Sequence, residues 1–168
     1  VLPNNKNIIM AAQQCVGLTE KQVIVVPTHS IPQGISAMMS VDTAEEDPQA
    51  ILAAMTEAAA AVTTAQITYA ARNSDFDGFA INEGDYLALL DGKLFGTERD
   101  ITSLLTRLAA LAAEREAAFV TLFYGEGVSQ EEAEAAQALF TEACPETEIS
   151  LLSGGQPQPG AIVLRNPE

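Results

Sequence analysis

The sequence predicts an α/β domain in which a mostly parallel sheet is flanked by helices. Two observations support this prediction: short apolar runs rich in Val, Ile and Phe alternate along the chain with helical patterns, and most of the helical patterns begin at a capping signal. With 168 residues, 48% of them hydrophobic, the chain can bury the core of one domain. We therefore expect one α/β module over residues 1–168.

The predicted strands are uninterrupted apolar runs, each followed by a polar or glycine-containing loop. A stub at residues 1–2 ends at Pro3, and the run at residues 22–27 reads QVIVVP. Runs of this kind suit central strands that are covered on both faces. The remaining predicted strands are residues 118–124, 148–152 and 160–164.

Capping residues support the predicted helices. Asp47 and Pro48 precede an alanine-rich run at residues 49–62, with Asp as N-cap and Pro at the first helical position. Asp100 precedes an apolar stripe, and Ser129 opens a capping box ahead of a helix that reaches about Cys144. The first helix follows an Asn-rich loop, places Ile8, Ile9, Ala12 and Val16 on one face, and ends at Gly17.

The middle of the chain interrupts this alternation. At residues 65–97, turn signals at Asn82-Glu83-Gly84 and Asp91-Gly92 separate short alternating runs. We expect an antiparallel meander inserted into the α/β module. Its aromatic residues either contact a partner protein or pack inward as a small satellite core; they are Phe76, Phe79, Tyr86 and Phe95.

Charge and composition limit the possible partners and compartments. The net charge of −15, from 23 acidic and 8 basic residues, repels phosphate backbones, so we expect no nucleic acid partner. This acidity serves either solubility or the docking of a basic partner surface. The sequence lacks an apolar run near the ~20 residues that span a bilayer and a leader pattern, so we expect no membrane span and a cytoplasmic location. Cys15 and Cys144, without CxxC spacing, predict free thiols.

Motifs for catalysis are missing from the sequence. His29 is the one histidine, so a multi-histidine metal site is excluded, and neither a P-loop nor a G-x-S-x-G elbow occurs. Gly125-Glu126-Gly127 departs from a dinucleotide fingerprint, because residue 130 is Gln. We therefore predict no catalytic residue and no metal ligand.

Loops after the predicted strands are the candidate binding residues, because ligands of open α/β sheets bind beyond the strands' carboxyl ends. Lys6, beside a predicted helix N-terminus, resembles an anion site, although the neighbouring Asn residues can equally act as caps. His29 either titrates in a cleft or is structural. Gly154-Gly155 indicates either a close backbone approach or a plain turn. We expect these loops to lie together at one edge of the sheet.

Several motifs, spread over nearly the whole chain, resemble one family. The most specific is the LPNNKNI element at residues 2–8. The others are Val25-Val26-Pro27-Thr28, Ile31-Pro32-Gln33-Gly34, Gln66-Ile67-Thr68-Tyr69-Ala70, Gly84-Asp85-Tyr86, Asp91-Gly92-Lys93, Tyr124-Gly125-Glu126 and Gly154-Gly155-Gln156-Pro157. Together they resemble the C-terminal region of the dihydroxyacetone kinase-like family that includes the ATP-binding subunit of bacterial fatty acid kinase.

The resemblance implies a fold, a partner and a role. It implies a DegV-like fold, and a longer chain whose N-terminal domain holds ATP and magnesium, so no cofactor is expected in this sequence. The implied partner is a DegV-like fatty-acid-binding protein, whose bound fatty acid is phosphorylated by the kinase. This region would dock that partner without being a catalyst itself.

Two alternatives remain open at this point. The module either docks a partner or binds a small molecule, a lipid or phosphorylated metabolite, with a kinase or phosphatase activity of its own; homodimerisation is a further possibility. The candidate ligand- or partner-binding residues are Asn4, Asn5, Lys6, Asn7, Thr28, His29, Gln33, Gly154, Gly155 and Gln156.

Overall fold

The structure, a computed structural model, describes residues 1–76, 79–157 and 159–165. The chain divides into two compact units, Val1–Thr63 and Thr64–Glu168. Within the described ranges, no helix is both long and apolar enough to cross a bilayer. The prediction of one module over residues 1–168 stays a prediction.

The first unit is helical. Its helices are α1 (Lys6–Cys15), continued by a 3-10 turn (Val16–Leu18), α2 (Ile31–Met39) and α3 (Pro48–Ala60). Helix α3 begins as predicted, since the Asp47 side chain accepts a hydrogen bond from the Gln49 N–H. Helix α2 was not predicted. Val26, Ala37, Met55 and Ala59 form a small core of this unit.

The strands predicted at residues 1–2 and 22–27 are wrong. The structure forms only a local pairing there: the Val1 amino group donates to the Ile24 carbonyl at 2.7 Å, and the Val26 N–H donates to the Val1 carbonyl at 3.0 Å. One residue facing this segment makes too short a ladder for a strand. The apolar run instead contributes Val26 to the core.

The second unit contains a six-stranded sheet and a separate two-stranded hairpin. The sheet order is β5-β4-β1-β8-β6-β7, and β2 pairs with β3. The strands are β1 (Val62–Tyr69), β2 (Ser74–Phe76), β3 (Phe79–Ile81), β4 (Tyr86–Leu90), β5 (Lys93–Glu98), β6 (Phe119–Tyr124), β7 (Glu148–Ser153) and β8 (Gly160–Arg165).

The prediction of a mostly parallel sheet is wrong. The pairs β1–β4, β4–β5 and β6–β8 are antiparallel, and β6–β7 is parallel. A helix connects β6 to β7, as a parallel crossover requires, whereas β8 returns from β7 through a loop. Antiparallel hairpins do form within residues 65–97, but β1, β4 and β5 belong to the main sheet instead of forming an insertion.

Two helices of the second unit pack against the sheet and against each other. They are α4 (Ile101–Glu114), capped by Asp100, and α5 (Gln130–Ala143), which begins at the predicted capping box. Residues two apart on the strands, such as Val120 and Leu122, are buried beneath these helices, as a strand period of two requires. The architecture is therefore a mixed α/β fold with a mostly antiparallel sheet.

Candidate functional site

The Asn-rich loop is joined to the segment before α2 by a buried hydrogen bond. The Asn4 N–H donates to the Thr28 hydroxyl oxygen at 3.0 Å, and Thr28 has no exposed surface. Asn4 has a φ of 54°, in the left-handed region that Asn tolerates better than most residues. Its side-chain carbonyl oxygen is buried beside Gly34, where a Cβ would clash with it. Asn4 and Thr28 are thus brought together, as expected.

The neighbouring residues of this loop form the start of α1. The Asn5 side-chain oxygen accepts from the Asn7 N–H at 2.9 Å, so Asn5 is the N-cap of the helix. Lys6 is exposed in the first turn. The capping interpretation of Asn5 is confirmed, while a bound anion near Lys6 stays a prediction.

Gln33 organises the segment that contains His29. Its side-chain oxygen accepts from the His29 N–H at 2.7 Å, and its side-chain nitrogen donates to the Val62 carbonyl at 3.3 Å. Ser30 caps α2. The His29 side chain is exposed. Gln33 therefore has a structural role at the start of α2, and the binding role predicted for both residues stays a prediction.

The glycine pair is a turn that the following glutamine fastens to β6. Gly155 has a φ of 64°, which favours glycine. The Gln156 side-chain nitrogen donates to the Phe123 carbonyl at 3.0 Å, and its own carbonyl accepts from the Glu126 N–H at 2.9 Å. The Gln156 side-chain amide also occupies the space into which a Cβ on Gly154 would project.

The predicted site residues fall into two groups. Residues 4–7, Thr28, His29 and Gln33 belong to the first unit, whereas residues 154–156 belong to the second. Each group is internally connected by the hydrogen bonds above. Their convergence at one sheet edge stays a prediction.

An apolar face on α2 was missed by the sequence interpretation. The helix buries its small residues, Gly34 and Ala37, and exposes large ones. Positions i, i+4, i+7 and i+8 share one side of a helix, so this spacing in the sequence was the available signal. We call this surface the α2 face, and its residues are Ile31, Ile35, Met38 and Met39.

The aromatic residues of the central region are partly accounted for. Tyr86 and Phe95 are partly buried against the core of the second unit, which agrees with inward packing. The side chains of Phe76 and Phe79 lie outside the part of the chain that the structure describes. Docking through these two residues stays a prediction.

The titratable groups with shifted pKa values are structural. Hydrogen bonds from the Ser103 backbone and side chain lower the pKa of Asp100, and those from the Ser129 side chain and backbone lower the pKa of Glu132. Burial raises the pKa of the Cys144 thiol. Across the described ranges, no three His, Cys, Asp or Glu residues are grouped as metal ligands.

Sequence comparison identifies the family. The model of the FakA-like C-terminal family, a region of fatty acid kinase, matches residues 1–164. The chain belongs to this family. It is 36% identical over 163 residues to protein YloV of Bacillus subtilis, covering 97% of this chain and 29% of YloV. It is also 31% identical over 160 residues to an uncharacterized protein of Staphylococcus aureus strain USA300, covering 94% of this chain and 28% of that protein.

The chain therefore spans less than a third of the length of these curated relatives. Solved structures share the fold of this FakA-like domain at low identity. A DegV family protein of Corynebacterium glutamicum aligns with a TM-score of 0.66 and 15% identity, over 95% of this chain and 69% of that one. DegV of Bacillus subtilis, described as a fatty acid binding protein, gives 0.63 and 14%, over 98% and 68%.

The fatty acid kinase B3 protein of Streptococcus pneumoniae, solved with linoleic acid, gives a TM-score of 0.63 and 9% identity, over 97% of this chain and 67% of that one. At such identities the likeness concerns the fold alone. The predicted DegV-like character of the fold is confirmed.

Proposed function

We propose that this chain is the partner-docking module of a fatty acid kinase ATP-binding subunit. The observation that carries the proposal is the family match over residues 1–164. The partner is a DegV-like fatty-acid-binding protein, whose bound fatty acid the complete enzyme phosphorylates. ATP and magnesium are bound by another part of the longer protein, which is in keeping with relatives more than three times the length of the matched region.

The α2 face supports docking because it reverses the usual arrangement of a surface helix. Large side chains on it remain in contact with water: Met39 is 77% exposed and Ile31 is 66% exposed. Exposed apolar clusters of this kind mark contact surfaces in soluble proteins, since covering them removes apolar area from water. Two of its four residues are methionines, whose flexible side chains adapt to a partner surface.

The net charge of −15 defines the rim that a partner should present. Basic residues around an apolar patch on the DegV-like protein would accelerate association with this acidic chain. The apolar contact would instead determine how long the complex lasts. Charge and apolar contact therefore predict separate kinetic effects.

Substitutions on the α2 face test the proposal. In the double variant Ile35→Gln/Met38→Gln, we expect dissociation from the DegV-like fatty-acid-binding protein to accelerate by roughly tenfold or more, because apolar anchors dominate interface energetics. Association should slow with added salt in both the double variant and the unsubstituted chain. Surface plasmon resonance measures both rates.

Leu152→Gln is the matched control. Leu152 is 49% exposed and Ile35 is 51% exposed, but Leu152 lies on β7 in the second unit. Its substitution should leave dissociation unchanged. An unchanged dissociation rate in the double variant, with a native circular dichroism spectrum, would exclude the α2 face as the docking surface. The same measurement on the longer protein distinguishes a partner from an internal segment that covers this face.

A further inference from the structure

A cavity lies between the sheet of the second unit and its two helices. Its volume is about 580 Å³, within the range of about 300–1,000 Å³ typical of small-molecule sites. Strands β1, β6 and β8 line one side, and α4 and α5 line the other. We call it the sheet–helix cavity; its main lining residues are Ile67, Tyr69, Leu105, Leu122, Tyr124 and Ile162.

The inner wall of the cavity is aliphatic and dry. Ile67, Leu122 and Ile162 are each at least 95% buried and come from three different strands. Leu122 faces Ile162 in the register of β6 and β8. With no polar side chain at these positions, the inner wall offers water no hydrogen-bonding partner, and such cavities accept apolar ligands.

Polarity increases along the strands toward the open side. Tyr69 follows Ile67 by two residues on β1 and is 56% exposed, and Tyr124 follows Leu122 by two residues on β6. Two residues along a strand correspond to about 6.5 Å, so the aliphatic and phenolic ends are separated along the strand direction. A ligand with one apolar end and one polar end fits this gradient.

The charge of the lining determines which polar end is acceptable. Glu132, exposed at the start of α5, is the one charged residue among the described lining residues. The Ser129 N–H and hydroxyl donate to its carboxylate at 2.9 and 2.7 Å, which stabilises the negative charge. Arg99, close in sequence to the lining residue Ile101, has its guanidinium 3.9 Å from the Asp85 carboxylate. An anionic head group is therefore repelled at this rim, whereas tyrosine hydroxyls suit an uncharged one.

We propose that the sheet–helix cavity binds a single alkyl chain carrying an uncharged polar head group, such as a fatty alcohol or a neutral acyl ester. The methyl end lies against Ile67, Leu122 and Ile162, and the head group lies at the tyrosines. This site is independent of the docking function, because it uses no residue of the α2 face.

Displacement of the uncharged fluorophore Nile red tests the site in the 168-residue chain. We expect Nile red to bind and dodecanol to displace it. Dodecanoate, ionised at about pH 8, should require roughly tenfold higher concentrations because of its charge. Glu132→Gln should reduce this difference between the two ligands. Equal or better displacement by dodecanoate would overturn the assignment of an uncharged head group.

A filled cavity provides the positional test. Ala136→Phe introduces a ring into the lining on α5 and should abolish displaceable Nile red binding, whereas Ala138→Phe, exposed on the same helix and outside the lining, should not. Ala135→Phe, also in the lining, replaces Ala136→Phe if circular dichroism shows that the latter misfolds. Binding that survives the lining substitutions, or that disappears in Ile35→Gln/Met38→Gln, would overturn the site without affecting the docking proposal.

Discussion

At the scale of single residues, the Asn4–Thr28 contact shows how a polar pair can fix a loop. The Asn4 N–H points to a hydroxyl on a fully buried side chain, and the backbone of Asn4 is in a left-handed conformation. A backbone donor in such surroundings needs a protein partner because water cannot replace it. Thr28 is therefore a structural residue, whatever else it contacts.

Thr28→Val, which keeps the shape and removes the acceptor, should lower the free energy of unfolding by about 1–2 kcal/mol and speed hydrogen exchange at the Asn4 amide. Thr19→Val is the control, since the Thr19 hydroxyl accepts from the exposed Lys21 N–H at 3.2 Å and water can replace it there. Urea denaturation and amide exchange measure both effects. Equal losses in the two variants would contradict this account of Thr28.

At the scale of elements, the capping box of α5 should make the first turn of this helix sensitive to acid. The folded-state pKa of Glu132 lies below its ordinary value of about 4.3. The carboxylate therefore stabilises the folded helix above that ordinary value, and this stabilisation is lost as the pH falls through the lowered pKa. Amide exchange in the first turn of α5 should accelerate over that range.

Glu132→Gln should flatten this pH dependence, because Gln can also complete a capping box but does not ionise. The first turn of α4 provides an internal control in the same molecule. Asp100 caps it with a lowered pKa, so its acid sensitivity should persist in the variant. Acid sensitivity that persists at α5 in Glu132→Gln would assign the effect to another group.

Elements that depend on local chemistry could be predicted from the sequence. Asp47, Asp100 and Ser129 cap α3, α4 and α5 as expected, because a cap is decided within four residues. Helix α2 carried similar signals, Ser30 with Pro32 in the first turn, but its apolar residues gave no core-facing stripe. The helix was missed because its large residues face away from the core.

Strand direction and site convergence could not be predicted in the same way. A continuous apolar run indicates burial on both faces but does not distinguish parallel from antiparallel neighbours. The β8 run pairs antiparallel with β6 because of the length and path of its connection. The sheet–helix cavity likewise depends on residues of several strands and helices, so nothing in any one segment indicated it.

At the scale of the whole molecule, the charge and the site chemistry argue against nucleotide binding by this chain. Calorimetric titration with magnesium-ATP should give no saturable binding, since a polyanion is repelled by a net charge of −15. Magnesium alone is the control, because an acidic surface attracts the cation without a specific site. Micromolar binding of magnesium-ATP beyond the magnesium control would contradict the proposal that nucleotide is held elsewhere in the longer protein.

The position of β8 has a consequence for how the chain acquires its structure during synthesis. This strand follows the other seven in the sequence, yet it lies between β1 and β6 in the middle of the sheet. Until the ribosome has released it, the three strands β5, β4 and β1 and the pair β6–β7 have no shared neighbour. The nascent chain must therefore carry two partial sheets with open inner edges, which are vulnerable to pairing with other chains until translation supplies the strand that joins them.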